Sequence, residues 1–348
     1  MASSSSKRPS SPLPSTSSLR PGVVETSADS AITTASETNY ESEISQALSK
    51  VHVSGPGKTE KDQDQEDRKD LFNITCDTSA TDSQTDDTDI SNSSLPRALG
   101  PEVNLQEYDL SENDKKALGL VQLSFDDARK LEAQTVGQSR NSLWGKSRLN
   151  RLTASNFGLI CKRRSYTEKF AKSVLTETKD LSRIPAIKYG RENEAKAIEV
   201  YHKYMTKAGY RIKILENGIV VNPSFPWLGA SPDGKILDSN AGFGLLEVKC
   251  PASFKDVDPL EACASKNFYC ELVEGKPRLK RKHSYFYQVQ GQMGICGALW
   301  CDFVVYTKRG MIISRIEYDE DFWMEIMKKM TIFYMTSCLQ LVCHNDST

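Results

Sequence analysis

The chain has 348 residues, in which 45 Lys and Arg nearly balance 46 Asp and Glu, but residues 1–140 carry 14 basic and 24 acidic side chains and residues 141–348 carry 31 and 22. No stretch approaches the roughly 18–20 consecutive apolar residues of a membrane-spanning helix, and the N-terminus lacks the apolar run of a secretory signal. We therefore expect no membrane association and a polyanionic partner for the basic half.

Residues 1–104 are dominated by Ser, Thr, Asp, Gln and Pro. So few apolar side chains cannot offset the chain entropy lost on folding. The composition predicts a disordered tail without an enzymatic role, and it leaves open whether the tail is phosphorylated or binds protein partners.

Residues 105–348 show alternating helix and strand patterns. Ser124 followed by Asp127 predicts a capped helix to about Gln134, and a second helix is expected over residues 149–161. From residue 188 the pattern runs through a helix, two or three strands, a long loop, a helix, a hairpin and a final helix. This order predicts a mixed α/β domain around one central sheet.

In the helix expected over residues 190–205, one acidic side chain, that of Glu194, points toward the protein interior. Glu194 shares a face with Ala197 and Tyr201, whereas Glu192 lies on the solvated face. An inward carboxylate is costly unless it is paired or bound to a metal. A buried pair with Arg or Tyr is an equally good explanation for Glu194.

Two further acidic residues lie in or between strands that the sequence predicts. A strand is expected over residues 218–222, and both acids come after it. Asp233 lies in the Pro-Asp-Gly turn between strands within residues 227–237. In the strand of residues 244–251, Glu247 and Lys249 share one face. This order brings Asp233 beside Glu247, although an edge strand with a solvated ion pair would show the same alternation.

An acid in a turn followed by Glu-x-Lys on a strand is typical of nucleases with a restriction-endonuclease-like core. Asp233, Glu247 and the backbone carbonyl of Val248 would form an oxygen site for Mg²⁺ or Mn²⁺. Lys249 would hold or help deprotonate the attacking water. A helix over residues 285–293 adds Gln288 beside this set, or else an ordinary polar helix face.

Five collinear motifs together resemble the YqaJ-type viral recombinase nucleases, relatives of bacteriophage lambda exonuclease in the PD-(D/E)xK superfamily. The matching stretches are residues 151–155, 189–194, 228–234, 246–251 and 287–290. The resemblance implies a restriction-endonuclease-like core, a central mixed sheet flanked by helices. It also allows a homo-oligomer, because lambda-exonuclease-like enzymes form toroidal trimers.

The resemblance implies roles for individual residues. The catalytic set is Glu194, Asp233, Glu247, Lys249 and Gln288. Within it Asp233 and Glu247 hold the essential metal and Glu194 supports a second metal or its hydration shell. The family's Gln corresponds to Gln288 or Gln290, of which we favour Gln288.

Arg151, Thr153 and Ser155 match a segment that lies near the DNA 5′-phosphate in the family. Helix initiation is the alternative for the two hydroxyl groups. A departure from the phage pattern is the insert over residues 253–283, whose clustered basic side chains would track a phosphate backbone or form a solvated loop.

Together these features predict a metal-dependent nuclease, a 5′-to-3′ exonuclease on duplex DNA ends in recombination or repair. The alternatives are a catalytically silent nucleic-acid-binding module, a structure-specific endonuclease, and an interaction protein in which the acidic tail matters most. The nine cysteines are an odd number without a Cys-x-x-Cys pair. They predict free thiols and an intracellular location, in the nucleus, the cytoplasm or an organelle.

Overall fold

The computed structural model describes residues 40–55, 103–175 and 183–345. The described residues from 43 onward belong to one compact unit, and of the preceding unit, residues 1–42, only residues 40–42 are described. None of the described helices is both long and apolar enough to cross a membrane.

Helices and strands alternate through the described residues. The helices are residues 40–49 (α1), Glu112–Val121 (α2), Phe125–Gln134 (α3), Ser142–Arg148 (α4), Ala154–Cys161 (α5), Glu168–Leu175 (α6), Pro185–Lys207 (α7), Pro259–Ala262 (α8), Ser284–Cys296 (α9), Glu320–Phe333 (α10) and Leu339–Asn345 (α11). The strands are Val51–Ser54 (β1), Leu152–Thr153 (β2), Ile212–Leu215 (β3), Leu228–Gly229 (β4), Gly234–Asp238 (β5), Gly242–Lys249 (β6), Cys270–Val273 (β7), Lys276–Leu279 (β8), Trp300–Thr307 (β9) and Gly310–Glu317 (β10).

The central sheet has the order β1-β10-β9-β6-β5-β3 within the described chain. β6 pairs with β9 in parallel and with β5 antiparallel, and β10 pairs with β9 antiparallel. The parallel β6–β9 pair requires a crossover, which residues 250–299 supply with α9. The sheet is therefore mixed, and the predicted α/β class is confirmed.

Helices cover both faces of the sheet. Because side chains alternate between the faces along β9, the residues of β9 show which helices cover each face. Phe303 and Val305 pack in one core cluster with Val289 of α9, together with side chains of α5 and α10. Val304 and Tyr306 face the other way, into a cluster with α7 and α1. β6, between β5 and β9, therefore has its two faces covered by α9 and α7.

The tail prediction is wrong for residues 40–55. β1 pairs in parallel with β10, from Val51 opposite Met311 to Ser54 opposite Ser314, and Ile44 of α1 is buried. Average composition over a hundred residues hides a segment this short. Residues 1–39 and 56–102 of the expected tail lie outside the described residues.

Several expected elements are confirmed and others are shifted. Ser124 caps α3 as predicted, and its hydroxyl accepts from the backbone N–H of Asp127. The helix expected from residue 149 begins only at Ala154, because β2 pairs in parallel with β4. The strand expected over 218–222 is reduced to one bridge, Val220 to Ala230. The insert folds as α8 and the β7–β8 hairpin.

Candidate active site

Asp233 enters β5 beside the C-terminal half of β6. Its backbone N–H donates to the carbonyl of Leu246 at 3.0 Å. In return the backbone N–H of Val248 donates to Asp233 Oδ2 at 2.7 Å. These two bonds fix the Asp233 carboxylate next to the strand that carries Glu247, as the order of the motifs predicted.

Glu247 is 1% exposed and lies on the face of β6 that α9 covers. It forms an ion pair with Lys249, two residues along the same face. Gln288 Nε2 donates to Glu247 Oε1 at 2.6 Å, and Gln292 Nε2 donates to Oε2 at 2.8 Å. Adjacent turns of α9 thus hold both oxygens of one carboxylate.

Gln290 lies elsewhere. Its Nε2 donates to the carbonyl of Glu317 at 2.8 Å, and its Oε1 accepts from the backbone N–H of Asp319 at 2.9 Å. It ties α9 to the connection after β10, so Gln288 is the residue of the pair that reaches the site. Sequence reasoning left Gln292 out of the site, although its spacing of four from Gln288 could have included it.

Glu194 approaches the same place from α7. It is half-buried, and its carboxylate makes no hydrogen bond or ion pair with any described residue. The expected alternative, a buried pair with Arg or Tyr, is therefore not formed there. Two turns further on, Tyr201 Oη donates to Asp302 Oδ2 at 2.7 Å and anchors α7 to β9.

Burial and neighbouring charges shift the pKa values of Asp233, Glu194 and Lys249. Burial, followed by the charges of Glu247 and Glu194, raises the pKa of Asp233 well above its usual value. Burial and Glu247 likewise raise the pKa of Glu194. Burial lowers the pKa of Lys249, but the charges of Glu247 and Asp233 outweigh it and raise that pKa overall. The site therefore concentrates negative charge around one ammonium group.

The donor set suits a hard divalent cation with few protein ligands. No three His, Cys, Asp or Glu side chains in the described ranges converge as a metal site. Two neighbouring carboxylates, with water in the remaining positions, are a common coordination of Mg²⁺. The buried Gln292 Oε1 also lacks a hydrogen-bond partner among the described residues, as expected beside a hydrated ion.

In the structure the guanidinium of Arg151, which was expected near a DNA phosphate, binds backbone carbonyls. Its Nε donates to the carbonyl of Pro226 at 3.0 Å, Nη1 to Ser147 at 2.8 Å and Nη2 to Val121 at 3.0 Å. Burial lowers the pKa of Arg151. Every nitrogen of the guanidinium is used by the backbone, so Arg151 is a structural residue.

Arg148, which sequence reasoning missed, lies beside the two predicted hydroxyl groups. Its Nη2 donates to Thr153 Oγ1 at 3.3 Å, and Ser155 Oγ is 3.3 Å from the same atom. Arg148 also packs over Trp144, whose Nε1 donates to Ser231 Oγ at 2.9 Å. Thr153 makes no side-chain cap on α5, so the helix-capping alternative is not observed.

The basic residues of the insert are partly used within the fold. Lys280 Nζ donates to the carbonyls of Lys266 and Phe268, and Arg281 forms an ion pair with Asp319. Lys276, Arg278 and Lys282 are exposed. Their exposure fits both expected alternatives, a phosphate-binding segment and a solvated loop.

Comparison with known proteins agrees with the resemblance expected from the motifs. Residues 143–299 match the family model described as a YqaJ-like viral recombinase domain. The alkaline nuclease of Orgyia pseudotsugata multicapsid polyhedrosis virus is 25% identical over 231 residues, which cover 60% of this chain and 50% of that protein. The chain thus spans half the length of that relative.

Two solved structures match the chain at low identity. The alkaline exonuclease LHK-Exo from Laribacter hongkongensis superposes with a TM-score of 0.43 and 23% identity, over 60% of this chain and 96% of that one. The Shutoff and Exonuclease Protein from Kaposis Sarcoma Associated Herpesvirus matches with a TM-score of 0.38 and 11% identity, over 65% of this chain and 74% of that one.

Proposed function

We propose, from the match of residues 143–299 to the YqaJ-like viral recombinase domain, that the chain is a metal-dependent nuclease that hydrolyses DNA from duplex ends in the 5′-to-3′ direction. The observation that carries the proposal is the set of Asp233, Glu247 and Lys249 at the end of β6. Two mutually repelling carboxylates held beside one ammonium group cost stability, and such arrangements are typical of catalytic centres.

Asp233, Glu247 and the carbonyl of Val248 are the groups that would hold Mg²⁺ or Mn²⁺. Such an ion, when bound, polarises the scissile phosphate and lowers the pKa of a bound water. Gln288 and Gln292 keep the Glu247 carboxylate oriented, because each donates to one of its oxygens. Their neutral amides do so without adding a competing charge.

Lys249 and Glu194 are suited to the attacking water. The raised pKa of Lys249 keeps its ammonium group charged near neutral pH, so we assign it the task of holding the water and a phosphate oxygen rather than removing a proton. Glu194 has an unpaired carboxylate and a raised pKa, which suits a group that accepts a proton from that water.

End recognition is assigned to Arg148 in place of Arg151. A guanidinium beside the Thr153 and Ser155 hydroxyls offers the charge-assisted donors that a terminal phosphate prefers. Trp144 connects this group to Ser231, two residues before Asp233. A phosphate bound there would therefore lie close to the catalytic carboxylates.

The test compares end-labelled linear duplex with closed circular DNA in Mg²⁺, in Mn²⁺ and in a chelator. We expect the linear DNA to be degraded in either metal, the circular DNA to survive, and Glu247→Gln and Asp233→Asn to lose activity by at least about 1000-fold. Glu192→Gln is the matched control, because Glu192 is exposed on the same helix as Glu194. Binding without cleavage by the wild-type chain would show a silent nucleic-acid-binding module instead.

A further inference from the structure

The turn Gln138–Arg140 is fastened to the loop that leads into Asp233. Gln138 Nε2 donates to the carbonyl of Pro232 at 2.8 Å and to that of Asn217 at 3.3 Å. Trp144 makes a second attachment, to Ser231 at 2.9 Å. Arg140 lies in sequence between these attachments, so its backbone is held at the rim of the acidic centre.

Arg191 reaches the same rim from α7. It precedes Glu194 by three residues, a spacing that places both side chains on neighbouring turns of one helix face. The guanidinium groups of Arg140 and Arg191 both lie close enough to lower the pKa of Glu194. Two different elements therefore bring an arginine to one carboxyl group.

The fold does not use either guanidinium. Both side chains are exposed, and neither guanidinium forms a hydrogen bond or ion pair with a described residue. In contrast, Arg151 binds three backbone carbonyls and Arg315 binds Asp302 with two nitrogens. Ten unpaired N–H donors beside a catalytic centre suit an anionic ligand.

We propose that Arg140 and Arg191 together bind the sugar-phosphate backbone of the strand that lies in the catalytic centre. The inference rests on the proposed function and adds residues that it does not assign. A strand brought to three carboxyl groups meets like charge, and two guanidinium groups at the rim offset this repulsion. Their contribution is to binding, whereas the chemistry stays with the carboxylates and Lys249.

The test measures binding of a labelled duplex in a chelator, where hydrolysis cannot occur, as a function of KCl concentration. Removing one cation that binds a phosphate should lower the slope of log K against log salt by about 0.7–0.9. We expect this change for Arg140→Gln and for Arg191→Gln, and about twice the change for the double variant. Under cleavage conditions KM should rise for these variants while kcat stays within about twofold of the wild type.

Two controls separate phosphate binding from a structural role. Lys116→Gln removes an exposed cation from α2 and should leave the salt slope unchanged. Arg140→Lys keeps the charge and should restore most of the slope, and the melting temperature of all variants should equal that of the wild type.

An unchanged salt slope in the double variant would overturn the inference, as would a fall in melting temperature that accounts for the weaker binding. A wild-type chain without salt-dependent binding would overturn it as well. If the wild type binds with the expected slope, the arginine variants lower it, and no metal supports cleavage, the inference stands while the proposed function fails.

Discussion

Asp233 and Glu247 lie with Lys249 at the end of β6, and Glu194 interacts with this group electrostatically. Because the pKa of Asp233 is raised in the folded chain, the native state holds a proton that the unfolded chain has released. The folded chain then loses stability as the pH rises from the pKa of an unfolded Asp, about 3.9, to the raised pKa of native Asp233. Above the native pKa the loss is complete.

We expect Asp233→Asn to remove this loss. At pH 8 and without metal, the variant should be more stable than the wild type, and the difference should shrink toward pH 4. Urea unfolding in a chelator at both pH values measures it. Asp109→Asn, at an exposed position, should show no such pH-dependent gain. A variant less stable than the wild type at pH 8 would contradict the argument.

Arg151 and Arg148 are only three residues apart, yet we expect different effects when each is replaced by Ala. Arg151→Ala leaves three partly buried carbonyls without a donor and should lower the free energy of unfolding by about 3–5 kcal/mol. Arg148→Ala should cost less stability but slow digestion of 5′-phosphorylated duplex by roughly 10–150-fold. Duplex with a 5′-hydroxyl should be digested by that variant almost as fast as by the wild type.

Urea unfolding and end-labelled digestion test both variants. Equal slowing on the two kinds of DNA end would contradict the role of Arg148. The motif with its Arg, Thr and Ser could be read from the sequence, but the identity of the available arginine could not. It depends on the path of the backbone past Val121 and Pro226, which supply carbonyls from distant parts of the chain.

At the scale of elements, α1 and β1 extend the sheet beyond the domain boundary expected from composition. Deleting residues 1–55 removes the β1–β10 ladder, the buried Ile44, and Glu43, the partner of the buried Lys196. We expect a loss of at least about 3 kcal/mol in stability, since the deletion removes an edge strand, buried apolar side chains and an ion-pair partner of a buried ammonium group. Deleting residues 1–39 should change the melting temperature little.

Scanning calorimetry of the two truncated chains measures the difference. Equal melting temperatures for both would show that α1 and β1 contribute nothing to the fold. β1 escaped sequence analysis because it is four residues long and its pairing partner lies at the far end of the chain. The longer β6 and α9 were predicted correctly, because each carries its own periodicity.

Close packing between α9 and α5 sets the position of Gln288 and Gln292. A Cβ added at Gly291 would come within 2.3 Å of the ring of Phe157. Gly291→Ala should therefore destabilise the chain by about 1–3 kcal/mol and lower nuclease activity, since α9 must shift. Gly119→Ala is the matched control, because nothing lies within 4 Å there and helix propensity predicts a gain of about 0.5–1 kcal/mol.

Thermal unfolding and an activity assay on both glycine variants measure these effects. Loss of activity at unchanged stability would place the effect of Gly291 at the site itself, and an unchanged variant in both respects would contradict the packing argument.

At the scale of the whole molecule, the cysteines whose side chains are described are thiols shielded by the fold. Seven of these cysteines form no disulfide; six are buried and Cys250 is partly exposed. Burial raises the pKa of Cys161 and Cys250 to about 12 and that of Cys263 to about 11. A thiolate is the reactive form, so these groups should react slowly at neutral pH.

We expect a chromogenic disulfide reagent to modify these seven thiols far more slowly in the native chain than in guanidinium, with Cys250 first among them. Peptide mapping after brief labelling identifies the modified positions, and Cys250→Ser is the control. Rapid modification of Cys161 or Cys338 in the native chain would show that the core opens readily.

The parallel pairing of β1 with β10 also constrains when the sheet edge can close during synthesis. Val51 pairs with Met311, about 260 residues later. At about 5–20 residues per second, a ribosome needs roughly 13–50 s to deliver the partner after the first strand has emerged. Until then β1 is unpaired in the nascent chain, and β9 has no neighbour on its β10 side. A translating chain therefore depends on late completion, with a long interval in which chaperones or another nascent chain can reach the open edge.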